Sequence, residues 1–456
     1  MIVMKFGGTS VESAAAIERV ASIVKDRLDR HPIVVVSAMG QTTNKLLAIA
    51  ADAVAGRRDQ ALEQVLALRE FHLREACSVV SAADEAEVQI LIDEHFRELT
   101  ELVKGLAVLG ELTPRSIDAV ASYGERLSSH IVALALRNFE IETAHLDSRR
   151  VIVTDRRHTQ AAPLYPETYS RLTQTIPPLL GGSVVVMGGF IAATADGVTT
   201  TLGRGGSDFT AAIVGAGMGA EEIQIWTDVD GMLTADPGTI PGAHRLKTIS
   251  FAEAAELAYF GAKVLHPATV LPAIEKNIPV LILNSRRPEL PGTRIVAERV
   301  PCQNPIKSIA CKKNIAVVNI HSTRMLMAHG FLHRIFEVFD RYETPVDMLA
   351  TSEVSVSLTI DNTARLQEIC VELRQFAEVS VEENQAIVCL VGDNLRDRPG
   401  VAARVFGALS HLNVRLISLG GSRLNLSLVV TYEDLEDAVK SLHAEFFQEL
   451  DPEVFD

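Results

Sequence analysis

Short, uninterrupted apolar runs recur among long helical patterns through the first 300 residues, and no other feature narrows the fold as far. Val34-Val35-Val36, Val184-Val185-Val186-Met187 and Pro279-Val280-Leu281-Ile282-Leu283 carry no polar alternation. Runs of that kind suit strands covered on both faces, as in a parallel sheet. Between them, segments such as Ala14 to Asp29 and Ala119 to Asn138 have helical periodicity. Alternating strands and helices imply a parallel α/β domain, whose ligands sit beyond the C-terminal ends of its strands.

Two glycine-rich loops occupy such positions. The strand candidate Met1-Ile2-Val3-Met4 runs into Lys5-Phe6-Gly7-Gly8-Thr9-Ser10. A turn of this type can set backbone N–H groups and an ammonium against a phosphate. Lys5 is then either a surface lysine beside a tight turn or a point charge for a transferring phosphoryl group. The second loop, Leu202-Gly203-Arg204-Gly205-Gly206-Ser207-Asp208, precedes the helical run Phe209 to Gly215. Ser207 or Asp208 could cap that helix. Three glycines around one arginine instead suit close backbone approach to an anion, with Arg204 gripping a carboxylate through two N–H bonds. Together the loops point to phosphoryl transfer.

Other motifs divide between structure and chemistry. Ser122 and Glu125 have capping-box spacing, so Glu125 is either a cap or a ligand. Ser250 and Glu253 share that spacing before an alanine-rich helix, and there the cap is expected. Thr227-Asp228-Val229-Asp230-Gly231 follows an apolar run and reads equally as a nucleotide-binding strand end or a hairpin turn. Gly215-Ala216-Gly217-Met218-Gly219 is no dinucleotide fingerprint, because it ends a helical run instead of opening one. There is no GxxxxGK[ST] loop, no HExxH and no Cys/His cluster with metal spacing, so a kinase here is of neither the P-loop nor the protein-kinase type.

The net charge of −15 argues against a nucleic acid or an anionic membrane as main partner, and obliges an anionic substrate to find a local basic pocket. The five cysteines are scattered without a CxxC pair, which fits reduced thiols in a cytosol. Lys5 breaks the first apolar stretch, so no signal-peptide core is expected. No apolar run approaches the ~20 residues of a membrane span. A cytoplasmic protein is expected.

Pro288, Pro291, Gly292, Pro301 and Pro305 punctuate a polar stretch from Asn284 to Pro305, which reads as a linker. The expected division is 1–298 and 299–456. The second part repeats itself at an offset of 70: Gly330–Phe336 matches Gly400–Phe406, and Ser355–Ile360 matches Asn425–Val430. Each copy is a small α+β unit unable to bury its sheet alone. The first spans about 315–385, the second about 386–456 plus a strand from about 305–314.

The motifs, in their order, resemble the aspartokinases of the amino-acid kinase superfamily. The matching segments are Lys5 to Val11, Val36-Ser37-Ala38 with Thr43-Asn44, Ser122 to Glu125, Gly203 to Asp208, Trp226 to Gly231, and Phe260 to Pro267. The tandem repeat is similar to the paired ACT modules of the same enzymes. The resemblance implies a carbamate-kinase-like αβα sandwich with a mainly parallel sheet, followed by two α+β ACT domains. It implies transfer of the ATP γ-phosphoryl group to the β-carboxylate of L-aspartate, giving 4-phospho-L-aspartate. By family match Lys5 and Asp208 are the catalytic pair, neutralising and orienting the phosphoryl group. Arg204 and Glu125 hold the α-carboxylate and α-ammonium of aspartate, with Ser37, Thr43 and Phe190 nearby. Gly7, Gly8, Thr227, Asp228 and Lys263 would hold ATP, with Mg²⁺ bound mainly through the phosphates and no protein metal site. Leu233 stands where many relatives have an aromatic residue, and Gly238 where an arginine is common.

The same resemblance implies feedback by an end-product amino acid. The suggestive residues are Met325, Phe331, Leu332, Val346, Asp347, Ser352 and Glu353. Lysine is the expected effector and threonine the second, because Ala328 and Pro345 replace polar residues typical of lysine-specific relatives. A homodimer or dimer of dimers through the ACT units is implied. With 456 residues there is no room for a fused homoserine dehydrogenase domain. The competing reading is an inactive amino-acid sensor on a dead kinase fold, against which the intact Lys5, Arg204 and Asp208 speak.

Overall fold

The computed structural model describes residues 1–261, 267–322 and 329–456. They form two compact units, residues 1–232 with 267–297, and residues 233–261 with 298–456. The Pro-rich stretch is therefore not the sole crossing between units.

The main sheet of the first unit contains β1 (Ile2–Phe6), β2 (Ile33–Val36), β3 (Thr143–Leu146), β5 (Val184–Gly188), β8 (Glu222–Thr227), β10 (Val280–Asn284) and β11 (Thr293–Val296). Their order across the sheet is β3-β5-β2-β1-β8-β10-β11. Neighbours are parallel except β11, which runs against β10. A small second sheet joins β4 (Val153–Thr154), β6 (Ile191–Thr194) and β7 (Thr199–Thr201).

β1, β2 and β5 are buried on both faces, as their apolar runs require, while β3 at the sheet's edge is half-buried. Ile2, Met4 and Phe6 join Val34, Val36 and Val186 in one core with α1 (Ala14–Lys25) and α6 (Tyr123–Asn138). The same core takes in α2 (Thr42–Val54), α3 (Arg58–Cys77) and α4 (Glu85–Leu109). α7 (Tyr165–Leu180) and α8 (Gly206–Met218) pack together, and α8 lies against β1 and β8. The rejected glycine run is a packing device. A Cβ on Gly215 would lie 2.7 Å from Ile223 Cδ1, and one on Gly217 2.7 Å from Tyr169 Cδ1. The architecture is the mainly parallel αβα sandwich expected.

Register aligns the strand ends. Phe6 pairs with Val36 and with Trp226. The Ser37 N–H donates to Phe6 O (3.0 Å), the Gly189 N–H to Val36 O (2.8 Å) and the Gly7 N–H to Trp226 O (3.0 Å). The loops after β1, β2, β5 and β8 thus leave one edge of the sheet together, where a doubly wound fold puts its ligands.

The second unit holds a six-stranded antiparallel sheet in the order β13-β14-β12-β15-β17-β16. Its strands are β12 (Ser308–His321), β13 (Leu349–Thr351), β14 (Ser355–Ile360), β15 (Glu378–Val391), β16 (Leu416–Leu419) and β17 (Asn425–Thr431). Its helices include α11 (Phe331–Arg341), α12 (Leu366–Leu373), α13 (Val401–Ala408) and α14 (Leu435–Phe446). The 70-residue repeat is written into the backbone. Gly330 and Gly400 cap α11 and α13 with φ of 81° and 83°. Asn314 and Asn384, also 70 apart, both adopt positive φ, 59° and 55°. Around Asn314 the β12–β15 register shifts, which lets each long strand serve both copies.

The segment 233–261 includes β9 (Thr248–Ser250) and α9 (Phe251–Tyr259). The capping box at Ser250 and Glu253 forms as expected. The Glu253 carboxylate also lies 2.7 Å from Lys307 Nζ, both side chains almost fully buried.

Candidate active site

A cleft of about 330 Å³ opens in the first unit, lined by Lys5, Gly8, Ser37, Thr43, Glu125, Phe190, Arg204 and Asp208. Ala38, Gly40, Gly203 and Gly205 to Ser207 complete it. Residues scattered over two hundred positions meet because β1, β2 and β5 end at one edge and α8 starts there.

Lys5, the fourth residue of β1, lies in the middle of the sheet with its ammonium 2.6 Å from Asp208 Oδ1. The two side chains are only 11% and 14% exposed, so water screens the pair little. Asp208 is in the first turn of α8, where the helix dipole favours its negative charge. It does not cap that helix: the N-cap is Gly205, at φ 71°, with no side-chain cap bond. Gly203, at φ 75°, makes the preceding turn. These positive φ values explain the glycines on either side of Arg204.

Glu125 is the most distinctive group. The Ser122–Glu125 capping box does not form, because Ser122 has helical φ and ψ and its hydroxyl donates to Ala119 O (2.8 Å). Glu125 Oε1 instead accepts the Ala38 N–H (3.1 Å). Its Oε2 is buried without a hydrogen-bond partner. Burial raises this carboxyl to a pKa of about 8, against the lowering effect of the Ala38 N–H. When this carboxyl is ionised, its Oε2 is left open to a donor or cation from outside the chain.

The cleft walls fit through missing side chains. A Cβ on Gly8 would come within 2.9 Å of Gly40 O, and one on Gly189 within 2.7 Å of Ser207 Cα. A Cβ on Gly206 would come within 2.7 Å of the Phe190 ring, and Phe190 itself holds φ 63°. Its N–H donates to Thr210 Oγ1 (3.0 Å) and its carbonyl accepts the Leu202 N–H (3.0 Å), bonds that offset the strain of that conformation.

Gly7, Thr227 and Asp228 are not in the cleft lining, though β8 ends beside β1. The Gly7 N–H is spent on Trp226, so the first glycine turn offers fewer free donors than its composition suggests. Thr227 ends parallel strand β8, which excludes the hairpin reading, and its carbonyl accepts the Ser285 N–H (2.8 Å). Lys263 lies outside the described residues. In the second unit, the Leu233 carbonyl accepts the Ser308 hydroxyl (2.7 Å) and the Gly238 N–H donates to Asp236 (2.9 Å). No group of three or more His, Cys, Asp or Glu side chains arranged for a metal ion occurs among the described residues, and no described helix is long and apolar enough to cross a membrane.

Of the effector candidates, Met325 lies outside the described residues. Phe331 is core, Leu332 is partly exposed at the start of α11, and Val346 packs against that core. Asp347 already has a cation: Lys312 Nζ stands 2.6 Å away, and also 2.8 Å from Asp361. Burial raises the Asp347 pKa in spite of Lys312, and its Oδ2 is buried without a partner. Ser352 turns the β13–β14 hairpin by bonding Ser355, beside the exposed Glu353.

Comparison with known proteins bears on the family and the fold. A profile of the amino acid kinase family matches residues 1–284, and one of the ACT domain matches residues 388–446. Aspartokinase 2, chloroplastic, of Arabidopsis thaliana is 38% identical over 99% of this chain and 85% of its own length. The lysine-sensitive aspartokinase 3 of Escherichia coli (strain K12) is 36% identical over 98% and 99%. The E. coli aspartokinase III structure with aspartate and ADP, an R-state, superposes with a TM-score of 0.84 at 36% identity, covering 98% of this chain and all of that one. The same enzyme with lysine and aspartate, a T-state, also gives 0.84, at 35% identity over the same shares.

Proposed function

The chain belongs to the aspartokinase family, and we propose from that premise how its own cleft does the work. The enzyme transfers the γ-phosphoryl group of ATP to the β-carboxylate of L-aspartate, giving 4-phospho-L-aspartate. The acceptor is already ionised at pH 7 and needs no general base. The barrier is the approach of two anions, so positioning and charge neutralisation carry the rate. Arg204 takes the α-carboxylate of aspartate in a forked pair of N–H bonds. Glu125 takes the α-ammonium, and Ser37, Thr43 and Phe190 shape the space between. Lys5, held by Asp208, faces the charge that develops on the phosphoryl group. Gly7, Gly8, Thr227, Asp228 and Lys263 serve the nucleotide. Mg²⁺ would be held mainly by the phosphates, since Asp208 and Glu125 are the only carboxylates among the described residues of the cleft lining and both have other duties, and it would neutralise phosphate charge.

One observation carries this reading: a buried carboxylate oxygen without a donor shares a cleft with Arg204 and a buried Lys–Asp pair. The test is ADP release with aspartate against glutamate, N-acetylglutamate and UMP. Release that does not depend on aspartate refutes it. Lysine is the proposed effector, acting through Asp347 and its neighbours in the first ACT copy, in a cytoplasmic homodimer or dimer of dimers. Inhibition by lysine, threonine and methionine, singly and in pairs, tests the effector.

A further inference from the structure

A second buried carboxylate, outside the cleft, ties its two halves together. Asp118 lies on α5 (Pro114–Ala121) and is 0% exposed. Among the described residues no arginine or lysine is paired with it. Its charge is met by the Thr201 hydroxyl, which donates to Oδ1 (2.6 Å), and by the Thr159 N–H, which donates to both oxygens (3.0 and 3.1 Å). The His158 ring, through Nδ1, bonds Oδ2 at 2.7 Å. A buried carboxylate with several donors is a stiff junction, because losing any donor leaves charge uncompensated.

What it joins matters. α5 ends at Ala121, with Ser122 alone between it and α6, whose first turn carries Glu125. Thr201 ends β7, three residues before Arg204. Thr159 is held at φ 70°, and its carbonyl lies 3.2 Å from where a Cβ on Gly203 would stand. The Ala161 N–H donates to Thr201 O (3.0 Å), closing the same turn onto β7. Asp118 therefore connects, within a few residues on each side, the Glu125 wall of the cleft to the Arg204 loop.

We propose that Asp118 is a positioning residue that sets the separation of Glu125 and Arg204, and so the length of α-amino acid the cleft accepts. The proposal rests on the reading that these two groups grip the ammonium and carboxylate of aspartate. Nucleotide groups on the β1 and β8 loops are not attached to this junction, so the effect is selective for one substrate.

Steady-state kinetics of the full chain test it. Asp118→Asn and Thr201→Val should each raise the aspartate KM, by roughly tenfold or more for Asp118→Asn, with the ATP KM within about twofold. Thr201→Ser keeps the hydroxyl and should restore the wild-type aspartate KM. If Asp118→Asn does not fold, the Thr201 pair carries the test, since it removes or keeps one bond without removing the charge. An unchanged aspartate KM in Thr201→Val, or equal rises in both KM values, overturns the proposal. Absence of aspartate turnover in the wild type would instead sink the reading beneath it.

Discussion

Glu125 should make aspartate binding depend on pH in a way that its own burial dictates. With a carboxyl pKa of about 8 in the empty cleft, only about a tenth of the protein carries the ionised form at pH 7. An ammonium selects that form, so binding must first remove a proton. The penalty is a factor of about 11 in apparent Kd at pH 7 and about 2 at pH 8, or about 1.4 kcal/mol at the lower pH. Aspartate affinity should therefore rise about fivefold from pH 7 to pH 8, with about 0.9 proton released per aspartate bound at pH 7. Calorimetric titration in two buffers of different ionisation heat reads both quantities. Glu125→Gln should bind aspartate more weakly and lose the pH dependence. A flat Kd between pH 6.5 and 8.5, with heats independent of buffer, refutes the assignment. The same shift bears on stability. Because the folded pKa lies above the unfolded value of 4.5, the folded state keeps a proton that the unfolded chain gives up, and stability falls as pH rises from about 4.5 to about 8. At pH 7 the cost is about 3 kcal/mol. Glu125→Gln should accordingly melt higher than wild type at pH 8 without aspartate.

Three further outcomes are expected. Lys5→Ala should lower kcat by about 10²–10³-fold, the usual cost of a group facing transition-state charge, and unchanged turnover would remove Lys5 from the chemistry. Acid should destabilise the first unit through His72, His95 and His145, whose pKa values burial lowers to about 4, 4 and 3. Neutral when folded, they contribute stability that is present above about pH 6.5 and lost as pH falls; for the fully buried His72 alone the loss between pH 7 and pH 5 is about 2 kcal/mol. Denaturant midpoints at the two pH values measure it, and equal midpoints would contradict the sign. Asp347→Ala should raise the lysine concentration needed for half-inhibition of aspartate phosphorylation, whereas unaltered sensitivity would point to another site or effector.

The sheet was legible because parallel strands buried on both faces leave continuous apolar runs, and Val34 to Val36 could hardly be anything else. Lys5, Arg204 and Asp208 were legible as a set because glycine loops advertise unusual backbone, which the φ values of Gly203 and Gly205 bear out. The reason for other glycines was not. Gly8 and Gly189 are small so that strand-end loops can touch, a demand set by residues far away in sequence. Glu125 was ambiguous for a similar reason. Its spacing from Ser122 is that of a cap, and it takes the helical backbone of Ser122 and the approach of the Ala38 N–H from another strand end to decide against it. Asp118 gave no local signal at all: its donors arrive from positions 158, 159 and 201. The return of residues 233–261 to the second unit was equally silent, since a chain excursion leaves no mark on composition.

The duplicated modules are alike in backbone and unlike in charge, and this bears on where an effector can act. The paired glycine caps and the paired asparagines at positive φ repeat at 70 residues. The charged groups around Asp347 do not. Asp347 corresponds to Ile417, half-exposed and apolar, and Lys312 to Glu382. Among the described residues, only the first copy therefore holds a partly desolvated carboxylate with an oxygen still lacking a donor. An amino-acid effector recognised by its ammonium has one such address per chain, not two, and must compete there with the Lys312 ammonium, which has Asp361 as its alternative partner. A saturating binding curve should accordingly show one lysine per chain, and a stoichiometry of two would mean that the proposed Asp347 contact is not what selects the ligand.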